Sequence, residues 1–146
     1  MGRTFTLDEA RTLLPVLGAL LKRARDAAVR AHEIGGEMQA LSQRIFLSGG
    51  MHVDVTAAAR RRAERDKGVQ EARSTIEEIE EIGARVGDME AGRLEFPHLL
   101  DGREVLLCWT LGDEAISEWR EVEDKPDVRR AVDGRFGSKR ERERPN

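Results

Sequence analysis

The segment REVLLCWTLGDEAISEW, residues 103–119, decides the fold: it holds the chain's one cysteine and both tryptophans, and it follows a two-residue period. Val105, Leu107 and Trp109 fall on one side of that alternation, and Leu106, Cys108 and Thr110 on the other. A run apolar on both sides predicts a central or covered strand over 104–110. There Cys108 behaves as a small hydrophobe with a raised pKa and little reactivity, not as a working thiol. Leu-Gly-Asp at 111–113 reads as a turn, and 115–122 alternates again as a further strand.

Upstream, Asp101-Gly102 is the signature of a tight hairpin turn, and RLEF at 93–96 alternates as its first strand. Residues 84–89 add a strand if the preceding helix ends near Gly83. The C-terminal half is therefore an antiparallel meander of three or four strands, and such a sheet needs helices as a second layer.

The N-terminal half supplies them. Thr6-Leu7-Asp8-Glu9 is a capping box, and Phe5 precedes it. Pro15 predicts a break: a short helix near 7–14, then a second starting at or kinked by the proline. Leu17, Leu21, Ala24, Ala28, Ala31, Gly35, Met38, Ser42 and Ile45 step by four and three, a heptad seam ending at a Gly49 cap. Met51–Asp54 makes a turn, with Asp54 or Thr56 capping a second helix whose seam is Val69, Ala72, Ile76, Ile79, Gly83 and Val86. Two such helices joined by a short turn fold back as an antiparallel hairpin, thin and mobile at its tip around 45–65. The expected class is α+β: a long, coiled-coil-like helical hairpin (about 7–83) packed with the meander (about 84–122). One domain covers 1–133, and 134–146 is a flexible charged tail.

Composition narrows the function. In 146 residues, 36% are charged, 4% are aromatic and the net charge is −3, which gives no general attraction to nucleic acid or anionic lipid. A single cysteine excludes an internal disulfide and a cysteine-based zinc site within one chain. The start lacks a signal-peptide pattern and no apolar run reaches membrane-spanning length, so a cytoplasmic protein is expected.

Few residues suggest chemistry. Glu77, Glu78, Glu80 and Glu81 invite a carboxylate metal site, yet helical spacing turns none of them into the hairpin seam, so they read as a solvated face. Glu95 and His98 have Glu-x-x-His spacing, but Pro97 between them rules out a shared helical face. His32, His52 and His98 share no ligand spacing and read as surface or boundary residues, His98 in a loop. Residues 59–67, ARRRAERDK, lack interleaved aromatics, so they read as an exposed face with Arg60–Glu64 and Arg62–Asp66 pairs rather than a nucleic-acid surface. No cofactor motif is present, and a metal has no support in the spacing.

Three blocks form a recognisable set: TFTLDEARTLLPVL at 4–17, IEEIGARVGDMEAGRLEFP at 79–97 and DGREVLLCWTLGDEAISEW at 101–119. Over about residues 4–133 the chain resembles the bacterial domain of unknown function 2203 family, a resemblance that implies no transferable activity. Relatives tend to carry Trp-His where this chain has Trp119-Arg120, and then a Gly-aromatic-x-Gly-Arg segment. Here Arg129 and Arg130 align with that arginine region, while Lys125 and Val128 replace the glycines. The resemblance thus implies that a site formed there in relatives is altered in this chain.

The leading expectation is a non-enzymatic protein that self-associates or binds another protein through the helical hairpin. The alternative is a metal- or small-ligand-binding domain at the junction of sheet and helices, built from Trp109, Glu114, Trp119, Arg120 and Arg129.

Overall fold

A computed structural model describes residues 2–49, 54–125 and 127–136. Residues 50–53, where the sequence leads one to expect a turn holding His52, and the residues from 137 onward, expected as a tail, lie outside the described residues. The fold is α+β: helices α1 (Leu7–Leu47) and α2 (Val55–Ile82), then strands β1 (Arg85–Asp88), β2 (Arg93–Leu100), β3 (Arg103–Thr110), β4 (Glu118–Glu121) and β5 (Arg130–Ala131). All five strands form one antiparallel sheet in the order β1-β2-β3-β4-β5, so β3 is central as its apolar pattern requires. The three- to four-strand expectation falls short by β5, whose two residues are too few to alternate.

Local chemistry sets the element ends. The Thr6 amide donates to Glu9 Oε1 at 2.9 Å and the Glu9 amide to Thr6 Oγ1 at 3.0 Å, a reciprocal capping box. Asp54 Oδ1 accepts from the Ala57 amide at 3.1 Å and caps α2. Gly83, at φ 112°, turns the chain out of α2, and Asp101 and Gly102, at φ 51° and 83°, form the left-handed pair that joins β2 to β3.

Pro15 does not break the first helix. It lies inside α1, exposed, as is Arg11, whose carbonyl loses the amide partner four residues on. On a solvent-facing side water replaces that lost bond.

Packing divides the chain into two compact units, one comprising the described residues of Met1–Lys22 and Ile76–Asn146, the other Arg23–Thr75. In the first, the inner face of the sheet presents Leu94, Phe96, Leu100, Val105, Leu107, Trp109 and Trp119 to a core shared with Phe5, Leu7, Ala10, Leu17, Leu21 and Ile79. Gly18 makes room for Trp109: a Cβ there would lie 3.1 Å from the indole. The N-terminal segment continues the sheet edge beyond β1, with the Phe5 amide donating to the Pro97 carbonyl at 2.7 Å. That side of Pro97 faces away from β3, so its missing N–H removes no β2–β3 bond.

His98 is therefore not in a loop. It is a strand residue, 1% exposed, with Nδ1 2.7 Å from the Phe5 carbonyl and its ring stacked on Phe136 at 5.2 Å. Phe136 corrects the tail boundary as well. Gly134–Phe136 forms a 3₁₀ turn, and the phenyl ring is fully buried beside Trp119 at 5.5 Å.

In the second unit the two helices pack through small side chains. Ala24, Ala27, Ala31 and Ile34 are buried on α1, and Gly68, Ala72 and Thr75 on α2. The expected seam drifts: Val69 and Ser42 are exposed, and Gly68 takes the contact position. A Cβ on Gly68 would stand 3.1 Å from the Ala27 carbonyl and 3.2 Å from the Ala31 methyl, so close approach of the backbones, not side-chain size, sets the register. Arg23 pairs with Glu71 at 3.0 Å and Arg61 with Glu37 across the helices. Arg61 also takes Glu64, in place of the expected Arg60–Glu64 and Arg62–Asp66 pairs.

Candidate functional site

The two-residue turn at Asp101-Gly102 fixes the β2–β3 register, and with it the content of the outer sheet face. Arg93 lies opposite Thr110, Glu95 opposite Cys108, and Pro97 opposite Leu106. On the next strand Glu118 faces Cys108 and Arg120 faces Leu106. Because β5 pairs Ala131 with Glu118 and Arg130 with Trp119, Arg129 is in phase with the same outer face as Arg120. The side of a five-stranded sheet turned away from its helices thus carries Arg93, Glu95, Cys108, Arg120 and Arg129.

At its centre is a buried ion pair. Arg120 donates from Nε to Glu95 Oε2 at 2.7 Å and from Nη2 to Glu95 Oε1 at 3.1 Å, a bidentate fork with side-chain exposures of 9% and 3%. Its Nη1 reaches the carbonyls of Glu121, Val122 and Asp124 at 3.4, 3.5 and 3.2 Å, fastening the segment after β4 over the sheet. The hydrogen bonds that Arg120 donates to Glu95, against the loss of hydration, raise its pKa further above its already high value. Asp124 completes the turn: its carboxylate accepts from the Glu121 amide at 2.9 Å and pairs with Arg130 at 3.1 Å, and both hold its pKa down. Gly87 lets Glu95 lie flat, because a Cβ there would stand 2.9 Å from the Glu95 carboxyl carbon. The chain bulges at that point, between Val86 and Asp88.

Cys108 sits above this pair. Burial pushes its thiol up to about 11 despite the nearby Arg129, and the Sγ–H points to the Leu106 carbonyl at 3.7 Å. At neutral pH it is a protonated core residue.

The five ligand-binding candidates do not form one cluster. Trp109 and Trp119 lie on the inner face, their indole N–H groups donating to the carbonyls of Asp113 (3.0 Å) and Ala131 (3.1 Å). Glu114 is exposed in the turn before β4. Only Arg120 and Arg129 share the outer face. No sequence signal marks Arg93, and Glu95 enters only through the rejected Glu-x-x-His spacing, although the Asp-Gly turn alone places Glu95 opposite Cys108. Glu77, Glu78, Glu80 and Glu81 are all exposed, and no group of three metal-binding side chains occurs among the described residues.

The other feature without an internal role is the end of the helical arm. Phe46, Leu47 and Val55 are 83%, 81% and 77% exposed, the largest apolar exposures in the described chain. Beside them Met38, Leu41, Ile45 and Ala58 line a groove between the two helices, edged by Arg61 and Arg62.

A family model described as "Uncharacterized conserved protein (DUF2203)" matches residues 3–132. The chain belongs to that family. No curated protein and no solved structure matches it. The DUF2203 span takes in the capping box, both helices and all five strands, and ends just short of the Phe136 turn. Among the described residues no helix of this DUF2203 chain is long and apolar enough to cross a membrane.

Proposed function

We propose that this chain is a cytoplasmic, non-catalytic interaction module that self-associates through the end of its helical arm. One observation carries the reading: the most exposed large apolar side chains in the described chain are Phe46 and Leu47, in the last turn of α1, and Val55, at the start of α2. Isolated exposed apolar residues are ordinary, but three of them gathered where one long helix ends and the next begins mark a contact surface. A second copy is the simplest occupant, since a two-fold axis through the tip matches each apolar patch with its own image. The ten basic and seven acidic residues of 23–75 leave a net +3 (10 − 7), too little to keep two arms apart.

The magnitude predicts a weak dimer. Burying six side chains gains roughly 9–18 kcal/mol, against an association cost of about 4–15 kcal/mol, which points to a dissociation constant near the micromolar range. A buried, unpaired cysteine suits a reducing compartment.

Sedimentation velocity over about 1–200 µM tests this. The wild type should shift from monomer to dimer, and Phe46→Ser/Leu47→Ser should remain monomeric with an unchanged circular dichroism spectrum. A wild type that stays monomeric throughout, or a double variant that dimerises equally well, refutes it.

A further inference from the structure

We propose that the outer face of the sheet holds a binding site for a small oxyanion, a carboxylate or a phosphate, gripped by Arg129. The starting point is an uncompensated donor. Arg129 Nη1 donates to the Val128 carbonyl, while its Nη2 is buried with no hydrogen-bond partner. Burying such a donor without a partner is unfavourable, and more so for a charged group, so this one calls for an acceptor.

No neighbouring carboxylate supplies it. Both oxygens of Glu95 are taken by Arg120, whose remaining donor reaches only backbone carbonyls. Glu118 lies across from Cys108, exposed, and makes no ion pair with Arg129. Asp88 stands opposite Arg93 with one oxygen accepting from the Ala91 amide at 3.1 Å.

Positive charge outweighs negative among the groups that act on Cys108. Arg93 projects from β2 opposite Thr110, one pair along from Glu95 and Cys108. Arg93, Arg120 and Arg129 all lie close enough to Cys108 to act electrostatically on its thiol, with Glu95 the only carboxylate among those neighbours. The Glu95–Arg120 pair neutralises itself and fixes the floor of the site, leaving the Arg129 Nη2 donor to face a ligand.

The chemistry of that group selects the ligand class. A guanidinium presents N–H groups in a planar fork that matches two oxygens of one carboxylate or phosphate, whereas a neutral ligand or a cation gains nothing there. Arg129 is only partly exposed, so the site opens to solvent at its rim while its deepest donor is dry. The protonated state of Cys108 makes this a binding site, with the thiol as part of its wall.

Thermal unfolding and isothermal titration of the whole protein test the proposal, with inorganic phosphate and sodium acetate as separate probes and sodium chloride holding ionic strength constant. At 10 mM of the preferred probe the wild-type melting temperature should rise by about 3–5 °C for a millimolar site. Arg129→Gln should weaken binding ~10–100-fold, Arg129→Lys less, and Glu118→Gln should tighten it ~2–5-fold by removing a competing charge. Unliganded circular dichroism and melting of Arg129→Gln should stay close to wild type, which separates lost binding from lost folding. A response to phosphate alone or to acetate alone assigns the ligand class. Equal shifts with chloride, no wild-type response to either probe, or undiminished binding in Arg129→Gln overturns the site.

Discussion

Glu95→Ala should be the most damaging single change on the outer face. It removes both oxygens that hold Arg120 at 2.7 and 3.1 Å and leaves a guanidinium whose side chain is only 9% exposed. Three carbonyls continue to accept from Nη1, but they supply partial charges, not a counter-ion. Breaking a buried pair from one side costs about 3–5 kcal/mol, a large part of the ~5–15 kcal/mol stability of an ordinary domain. In a chain of this length that lowers the melting temperature by roughly 6–20 °C. Replacing both partners by apolar residues of similar size, Glu95→Leu with Arg120→Met, leaves no orphaned charge and should cost only ~0–2 kcal/mol, the remainder reflecting the lost hold on residues 121–124. Urea denaturation followed by tryptophan fluorescence measures all four corners of the cycle. Single losses that simply add, or a Glu95→Ala loss below about 1 kcal/mol, would show that solvent reaches the pair and refute the reasoning.

Three further outcomes follow. Two glycine substitutions should have opposite signs. Gly36→Ala fills open space on an exposed helix face and should stabilise by about 0.5–1 kcal/mol in chemical denaturation, whereas Gly68→Val drives methyls into the Ala27 carbonyl and should cost ~1–3 kcal/mol. Equal effects would remove the close helix contact. Cys108 should react slowly with a thiol reagent at pH 8 in the native protein and at once in denaturant; rapid native labelling would contradict its burial. Its pKa is raised from 9.0 to about 11, so the unfolded chain releases the proton first. Stability is therefore unaffected by this thiol below pH 9 and declines as pH rises toward 11, a decline that Cys108→Ala should lessen in pH-dependent urea melts.

Much of the architecture was legible because its causes are local. The capping box, the Asp54 cap, the Gly49 and Gly83 terminations and the Asp-Gly turn each act within a few residues. The alternation through Val105–Thr110 needs only the geometry of one strand to place β3 at the centre. Where the sequence misled, the deciding partner was distant. Pro15 is tolerated because its side of α1 faces water. Gly68 displaces Val69 because two backbones meet there, and His98 is buried because Phe5, 93 residues away, supplies its acceptor.

The outer sheet face divides along the same line. Its β2–β3 half was determined by the sequence, since a two-residue turn leaves Glu95 no choice but to oppose Cys108. Its β4–β5 half was decided by tertiary structure alone. The turn between β3 and β4 has no standard register, so the pairing of Arg120 with Glu95 and the position of Arg129 depend on how the whole sheet closes. A charge pattern along a chain states which groups exist; which of them are desolvated together, and which one is left without a partner, is set only when the strands lie side by side.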